Sequence, residues 1–211
     1  MIKVYGYPNT RATRITWTLE ELQEGYEFKL VDFAKGDSKS KEFLAVNPAG
    51  KVPVLQDGDL TLTESGAIVT YLADKFADQK LIPSPGSPER AKFEQWSYFA
   101  LCELEQPLWT LGKHRFALPK EQRVSEIFPT ASWEFQQALT LLSSGLGTKN
   151  YILGSEFSAA DILLGHTLIW GLAFDQTVKQ ENLIAYHQRL SERPALANAK
   201  AREAQSLPTE K

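Results

Sequence analysis

The strongest constraint on the fold is a change of pattern at residues 81–88. Before this segment, short β-prone runs alternate with helical runs, whereas the chain after about Ser87 follows helical periodicity. The segment itself, "LIPSPGSP", contains three prolines and a glycine, which disfavour both a helix and a central strand. The sequence therefore predicts two differently built domains, at residues 1–80 and 89–211, joined by a linker at 81–88.

The first domain begins with a predicted βαβ unit. "IKVYG" is β-prone, "ATRITWTLEELQEG" has helical spacing with Gly25 as its stop, and "YEFKLVDF" alternates apolar and polar residues. Two strands joined through a helix form a parallel pair with a right-handed crossover. A short helix in "SKSKEFLAVN" follows this unit.

A hairpin and a further helix complete the predicted domain. "VPVL" and "LTLT" flank the pair Asp57-Gly58, which is a preferred sequence for a two-residue hairpin turn. The next apolar residues have helical spacing from Ile68 to Phe76. Pro53 lies inside the first hairpin strand, although proline cannot donate a ladder hydrogen bond. Its position therefore indicates a special backbone geometry.

The second domain is predicted to be entirely helical. "FEQWSYFALCELEQPLW" has apolar residues at helical spacing, and in "FSAADILL" Ser158 and Asp161 have the spacing of a capping box. Cys102 lies in the first of these helices, and we expect it to be a small buried core residue.

Composition and charge exclude several classes of function. The formal net charge is −3, and no block of Lys or Arg is long enough to follow a phosphate backbone, so nucleic acid is excluded as a partner. Asp161 and His166 interrupt the most apolar stretch, so we expect no membrane span. The single cysteine excludes an intramolecular disulfide and a CxxC pair, and a cytoplasmic location fits this composition. The histidines lack metal-ligand spacing, so no metal site is expected.

The order of elements, together with "NPAGKVPVL", "ESGAIVTYL" and "FSAADILL", resembles the cytosolic glutathione transferases over nearly the whole chain. The resemblance is to bacterial members of the theta- and phi-like Ser/Thr type. It implies an α/β thioredoxin-like N-terminal domain (βαβ-α-ββ-α) followed by an all-α C-terminal domain. It also implies an enzyme that uses glutathione as co-substrate, serves detoxification and forms a homodimer.

The resemblance implies a glutathione site in the first domain. The Val52-Pro53 bond is expected to be cis, which leaves the backbone of Val52 to pair with the cysteinyl backbone of glutathione. Ser65, at the start of a helix, is expected to bind the γ-glutamyl carboxylate, and Glu64 the amino group beside it. Lys39 and Lys51 are candidates for the glycyl carboxylate.

The thiolate donor is expected in "YGYPNTRATR". In the alignment on this motif, Thr10 falls where phi-type enzymes carry a serine, and its hydroxyl can donate to the sulfur. Asn9 is the second candidate, and Tyr5 and Tyr7 are the third. A helix N-cap is the structural alternative for Asn9 and Thr10, and strand packing is the alternative for the tyrosines. The absence of cysteine from this loop argues against members that form mixed disulfides with glutathione.

A small hydrophobic electrophile is the expected second substrate, and its identity is left open. Candidate pocket residues come from both domains, and helix-core packing is the alternative for the aromatic ones: Tyr7, Arg11, Phe99, Glu103, Trp109 and His114. Conjugation and peroxide reduction are both open reactions. A non-catalytic glutathione-binding or regulatory protein on the same fold is the main alternative, and a two-domain protein with an unrelated ligand is the third.

Overall fold

The computed structural model describes residues 1–208, and the chain packs as two compact units. Residues Met1–Ile82 form the first unit together with the C-terminal segment that begins at Glu192, and Pro83–Ser191 form the second. The sequence instead predicts that residues 89–211 all belong to the helical domain. The predicted domain limits, which divide the chain by pattern and not by packing, stay a prediction.

The first unit contains a four-stranded mixed sheet in the order β2-β1-β3-β4. Its strands are β1 (Ile2–Gly6), β2 (Tyr26–Leu30), β3 (Val54–Asp57) and β4 (Leu60–Leu62). β1 and β2 are parallel, whereas β1 with β3 and β3 with β4 are antiparallel. The helices of this unit are α1 (Ala12–Glu21), α2 (Lys41–Val46), α3 (Ser65–Lys75) and, from the C-terminal segment, α9 (Pro194–Gln205). The order confirms the thioredoxin-like βαβ-α-ββ-α prediction.

Helix α1 lies at the centre of this unit. Every residue from 12 to 19 is buried, because α3 and α9 both pack against the helix. The helix ends earlier than the sequence predicts: Gln23, at φ 56°, takes the left-handed position expected of Gly25. The Glu24 N–H donates to the Leu19 carbonyl at 2.9 Å, which closes the helix with a Schellman motif.

The hairpin turn lies one residue further along the chain than predicted. Asp57 pairs with Leu60 as the last rung of the ladder, so Gly58 and Asp59 are the central turn residues. Gly58 has φ 59°, and Asp59 is not among the residues with positive φ. Glycine at the first central position is the pattern of a type II′ turn, which, like the type I′ turn that an Asp-Gly pair favours, matches the twist of the flanking strands.

The second unit is helical, as predicted. α4 (Pro88–Phe99) is capped by Ser87 and leads through a π-helical turn, Ala100–Leu104, into α5 (Glu105–Gly112). A second π-helical turn, Lys113–Ala117, follows. The unit is completed by α6 (Phe128–Leu146), α7 (Ala159–Ala173) and α8 (Glu181–Ser191).

The predicted capping box at the start of α7 is confirmed. Asp161 accepts hydrogen bonds from the backbone N–H and the hydroxyl of Ser158, each at 2.8 Å. It also accepts from the Ile152 N–H at 2.8 Å and from the Tyr186 hydroxyl at 2.6 Å. Burial raises the pKa of the Asp161 carboxyl in spite of these four donors.

The prediction for Cys102 is wrong, because this side chain is exposed. It lies in the π-helical turn Ala100–Leu104. A π-helical turn holds more residues than an α-helical turn, so it rotates the following side chains away from the face that α-helical spacing predicts.

Candidate functional site

The loop between β1 and α1 brings Asn9 and Thr10 together. The Thr10 hydroxyl donates to the Tyr7 carbonyl at 2.7 Å and accepts from the Ala12 N–H at 3.2 Å. Arg11 is the N-cap residue of α1, so the Thr10 hydroxyl belongs to the turn that leads into the helix, and the proposed role of Thr10 stays a prediction. A thiolate can receive this hydroxyl proton only if the O–H bond turns away from the Tyr7 carbonyl.

Asn9 is exposed and has a left-handed backbone, with φ 59°. Asparagine adopts this conformation more readily than most residues, so the sequence suits the loop. Tyr5, the third donor candidate, donates its hydroxyl to Gln56 Oε1 at 2.9 Å and packs its ring near Phe43. The structure therefore places Asn9 and Thr10 in one loop and engages the Tyr5 hydroxyl within the sheet.

The Val52-Pro53 peptide bond is cis, as the resemblance implies. The half-buried Val52 side chain packs against the cluster that contains Phe43 and Val54. The preceding loop is held by Asn47, whose Nδ2 donates to the Lys51 carbonyl at 2.7 Å.

Ser65 is the first residue of α3 and is 5% exposed. Its oxygen accepts a hydrogen bond from Arg14 Nη1 at 3.0 Å, and the Arg14 side chain is 0% exposed. Glu64 precedes the helix with φ 63°, is exposed, and its side chain makes no capping hydrogen bond. A buried guanidinium and a helix N-terminus therefore meet at one hydroxyl, which is an arrangement that attracts a carboxylate.

Arg14 is a site residue that sequence reasoning missed. The apolar pattern indicates one buried face on α1, and this arginine lies outside that face. Because α3 and α9 both cover the helix, Arg14 is buried with the rest of it. An arginine one residue before Ile15, inside a run of small and apolar residues, is the sequence signal that could have shown it.

Glu203 is the second residue that sequence reasoning missed. It lies on α9, is 1% exposed, and accepts from the Thr13 hydroxyl at 2.9 Å and the Thr16 hydroxyl at 2.6 Å. The backbone N–H of Asn9 also points to this carboxylate, at 3.4 Å. Burial raises the pKa of Glu203, and the hydrogen bonds from the two threonines oppose that effect.

The two lysines proposed for the glycyl carboxylate, Lys39 and Lys51, are both exposed. They lie on the short helical turn Asp37–Lys39 and directly before Val52. Of the pocket candidates in the first unit, Arg11 is half-buried, and the Tyr7 ring lies 5.3 Å from that of Phe33. These assignments stay predictions.

The remaining pocket candidates lie in the second unit, along residues 99–114. Phe99 packs edge-on against Trp96, Glu103 is exposed, and Trp109 is half-buried. His114 Nδ1 accepts from the Val124 N–H at 3.0 Å. Their roles towards an electrophile also stay predictions.

Residues 1–208 show no metal-binding cluster and no membrane-spanning helix. In this part of the chain, no group of three or more His, Cys, Asp or Glu side chains could hold a metal ion. Over the same residues, no helix has the length and apolar character needed to cross a membrane.

Two family profiles match the chain. "Glutathione S-transferase, N-terminal domain" matches residues 1–74, and "Glutathione S-transferase, C-terminal domain" matches residues 104–194. Glutathione S-transferase GstB of Escherichia coli strain K12 is 33% identical over 202 residues, which cover 93% of this chain and 96% of that protein.

Solved structures agree with these matches. The ternary complex of BphK, a bacterial GST, superimposes with a TM-score of 0.85 at 31% identity, covering 96% of this chain and 99% of that one. A sphingomonad glutathione S-transferase complexed with glutathione gives a TM-score of 0.84 at 28% identity, covering 97% of this chain and 100% of that one.

Proposed function

The chain belongs to the glutathione S-transferase family and is a glutathione transferase, and from this premise we propose how its residues bind glutathione and ionise the thiol. The γ-glutamyl carboxylate binds Ser65 and the N-terminus of α3. The cysteinyl backbone pairs with Val52, and the sulfur lies at the loop of Asn9 and Thr10.

The observation that carries this proposal is the buried hydrogen bond from Arg14 to Ser65. Because the serine oxygen accepts from the guanidinium, its own proton can be donated to an incoming carboxylate. The buried positive charge strengthens that donation, since the local dielectric is low. The first N–H groups of α3 add further donors, and the exposed Glu64 carboxylate can pair with the ligand's amino group.

The thiol must be ionised to attack an electrophile. A free thiol has a pKa of about 8.5, so lowering it by two units requires about 2.7 kcal/mol of preferential thiolate stabilisation. One hydroxyl that donates to the sulfur, together with the N-terminus of α1, can supply this amount. Thr10 is the proposed donor, after its hydroxyl turns from the Tyr7 carbonyl, and Asn9 is the alternative.

Ser65→Ala tests the binding site. We expect glutathione affinity to fall about 10- to 100-fold, since hydrogen bonds to charged groups contribute about 1.5 to 3 kcal/mol. Calorimetric titration measures the change, and Thr63→Ala, which removes an exposed hydroxyl two residues earlier, is the matched control. Unchanged affinity in Ser65→Ala would remove Ser65 from the site.

Turnover tests the reaction. We propose conjugation of glutathione to a small hydrophobic electrophile, with peroxide reduction as a second reaction at the same thiolate. A panel of electrophiles and hydroperoxides separates the two reactions. Binding of glutathione without any turnover would favour the non-catalytic alternative, and absence of binding would contradict the whole proposal.

The setting of the reaction is also a proposal. We propose a homodimer in the cytoplasm that acts in detoxification, on the basis of the family resemblance. Sedimentation of the purified protein tests the dimer directly.

A further inference from the structure

The C-terminal helix α9 supplies a carboxylate beside the loop between β1 and α1, which contains Asn9 and Thr10. Glu203 of α9 is separated from its three donors by 187 to 194 residues of chain, yet all of them lie in the same compact unit. Two donors are threonine hydroxyls in the first turns of α1, and the third is the backbone N–H of Asn9. The three donors lie on both sides of Thr10 in the chain.

This placement makes the loop conformation depend on α9. A buried carboxylate is stable only when donors satisfy it, so Thr13, Thr16 and Asn9 are drawn to fixed positions around Glu203. Asn9 has its left-handed backbone at the point where its N–H reaches the Glu203 carboxylate, at 3.4 Å. The direction that the loop takes after Asn9 therefore depends on this contact. Thr10 is the next residue in the chain, so the same backbone direction orients its side chain.

We infer that Glu203 is a positioning residue, which holds the Asn9–Thr10 loop in the geometry that presents a donor to the glutathione sulfur. This inference rests on the proposed function of that loop. A residue of α9 thereby contributes to how well the thiol of glutathione is ionised.

A charge effect of Glu203 and a positioning effect change the pKa of the bound thiol in opposite directions. A carboxylate near the N-terminus of α1 weakens the positive potential there, so its charge alone opposes the thiolate. If charge were its only influence, Glu203→Gln would lower the pKa of the bound thiol. If Glu203 positions the loop, the same change loosens the donor and raises that pKa.

The experiment compares Glu203→Gln and Glu203→Asp with Arg193→Met. The Asp variant keeps the charge but draws the carboxylate back by one carbon–carbon bond. Arg193→Met breaks the pair of hydrogen bonds from Arg193 to Glu21, at 2.5 and 2.7 Å, and so weakens the docking of the C-terminal segment on α1 away from the loop.

Three readouts are needed. The thiol pKa of bound glutathione comes from thiolate absorbance in the ultraviolet, and kcat and the KM for glutathione come from steady-state rates. Hydrogen exchange of residues 7–11 is measured without glutathione. In both Glu203 variants we expect the thiol pKa to rise by about one unit, kcat near neutral pH to fall about threefold, as the thiolate fraction does, and KM to change little. Exchange in the loop should be faster in both, and close to that of the parent in Arg193→Met.

Each outcome decides the inference. A lowered thiol pKa in Glu203→Gln with a parental value in Glu203→Asp would overturn it in favour of a charge effect. Equal changes in Arg193→Met would overturn it in favour of general docking of the helix. If the parent neither binds nor turns over glutathione, the proposed function fails, and the exchange rates alone then decide whether Glu203 holds the loop. If Glu203→Gln does not fold, Glu203→Asp carries the same comparison.

Discussion

Arg14 and Ser65 form a hydrogen-bonded pair, and in the proposed site the arginine acts on the γ-glutamyl carboxylate through the serine. The guanidinium is buried and donates to a hydroxyl that lies at the start of α3. The buried positive charge and the N-terminus of α3 both favour an arriving carboxylate. The bond to the serine oxygen comes from Nη1 at the end of a planar guanidinium, and a lysine ammonium, which is a point charge on a flexible chain, does not reproduce that geometry.

The first prediction follows from that difference. Arg14→Lys keeps the positive charge, and we expect glutathione affinity to fall about tenfold because Ser65 is no longer held in place. Calorimetry of the single and double variants with Ser65→Ala checks the coupling. The two effects should be less than additive, since both act through one hydroxyl. Full additivity would show that Arg14 acts independently of Ser65.

Sequence and structure agree where the chemistry is local. The helix start at Ser65 was predictable from the local pattern, and the cis bond at Pro53 from the family resemblance, while the binding roles of both stay predictions. Arg14 and Glu203 were not, because their partners are 51 and up to 194 residues away. No periodicity in the sequence of α1 or α9 shows that the two helices pack together.

The second prediction concerns the thiolate donor. Thr10→Ala should cut the conjugation rate about 30- to 150-fold, which corresponds to about 2 to 3 kcal/mol of lost thiolate stabilisation, while glutathione affinity changes little. Thr10→Ser should keep most of the activity, because the hydroxyl remains. Ultraviolet titration of bound glutathione should show a raised thiol pKa only in Thr10→Ala.

The structure refines the controls for that prediction. Thr10→Ala also removes the hydroxyl that accepts from the Ala12 N–H, and the loss of this hydrogen bond costs about 0.5 to 1.5 kcal/mol of stability, so rates must be compared at temperatures where both proteins are folded. Asn9→Gly is a sharper variant than Asn9→Ala, because glycine keeps the left-handed backbone while it removes the amide. Parental activity in Thr10→Ala, with loss in Asn9→Gly or Tyr5→Phe, would assign the donor role elsewhere.

At the scale of elements, the hairpin is tied to α3 through Asp57. This carboxylate accepts hydrogen bonds from the Lys75 ammonium and, at 2.8 Å, from the Tyr71 hydroxyl. The hydrogen bond from Lys75 has the largest effect and lowers the pKa of Asp57 below its ordinary value. The bond from Tyr71 adds to this effect, and partial burial opposes it. The last residue of β3 is thus fixed to the middle and end of α3.

The third prediction is the pH dependence of this contact. Since the pKa of Asp57 is lower in the folded state, its contribution to stability is present above the ordinary carboxyl value of about 3.9 and is lost as pH falls from there through the lowered value. Asp57→Asn should therefore cost about 0.5 to 1 kcal/mol of unfolding free energy at pH 7 and much less at pH 3.

Urea denaturation at both pH values measures this difference. Asp59→Asn, at the exposed turn position two residues later, is the matched control. A cost for Asp57→Asn that is equal at pH 7 and pH 3 would contradict the lowered pKa. In Lys75→Met, the Asp57 carboxyl should titrate at a higher pH by NMR.

Element boundaries were less predictable than element order. The Asp-Gly pair indicates a hairpin, but strand register decides whether Gly58 is the first or the second turn residue, and here the pairing of Asp57 with Leu60 makes it the first. In the same way, Gln23 ends α1 because the contacts of Leu19 and Leu22 in the core fix the last turn before Gly25 is reached. Tertiary packing, and not the local preference of glycine, sets both limits.

At the scale of the whole molecule, the first unit is built from two segments that are distant in the chain. Met1–Ile82 provides the sheet and three helices. The fourth helix, α9, comes from the segment that follows the second unit in the sequence. Leu196 and Ala199 of α9 are buried at 1% and 0% exposure. A sequence pattern cannot show this return, because α9 reads as one more amphipathic helix after several others.

The last prediction is that residues 1–82 do not form a stable unit without α9. A fragment ending at Ile82 loses the apolar cover of α1 and leaves Glu21, Thr13 and Thr16 without Arg193 and Glu203. Without α9 these polar groups face water, so each lost hydrogen bond costs about 0.5 to 1.5 kcal/mol, and the larger loss is the apolar surface of α1 that α9 covers. Together these losses are comparable with the stability of a domain this small.

Trp17 reports the outcome, because it is the single tryptophan of the fragment, is 0% exposed in the chain, and donates to Glu21 at 2.8 Å. We expect solvent-exposed Trp17 emission and a broad thermal transition in the fragment. A peptide of residues 192–208, which has no tryptophan or tyrosine, should shift the emission to that of a buried indole and restore a cooperative transition. The same peptide with Arg193→Met and Glu203→Gln should restore far less. A fragment that melts cooperatively by itself, with buried Trp17 emission and no response to either peptide, would show that α9 lies on a unit that is already complete.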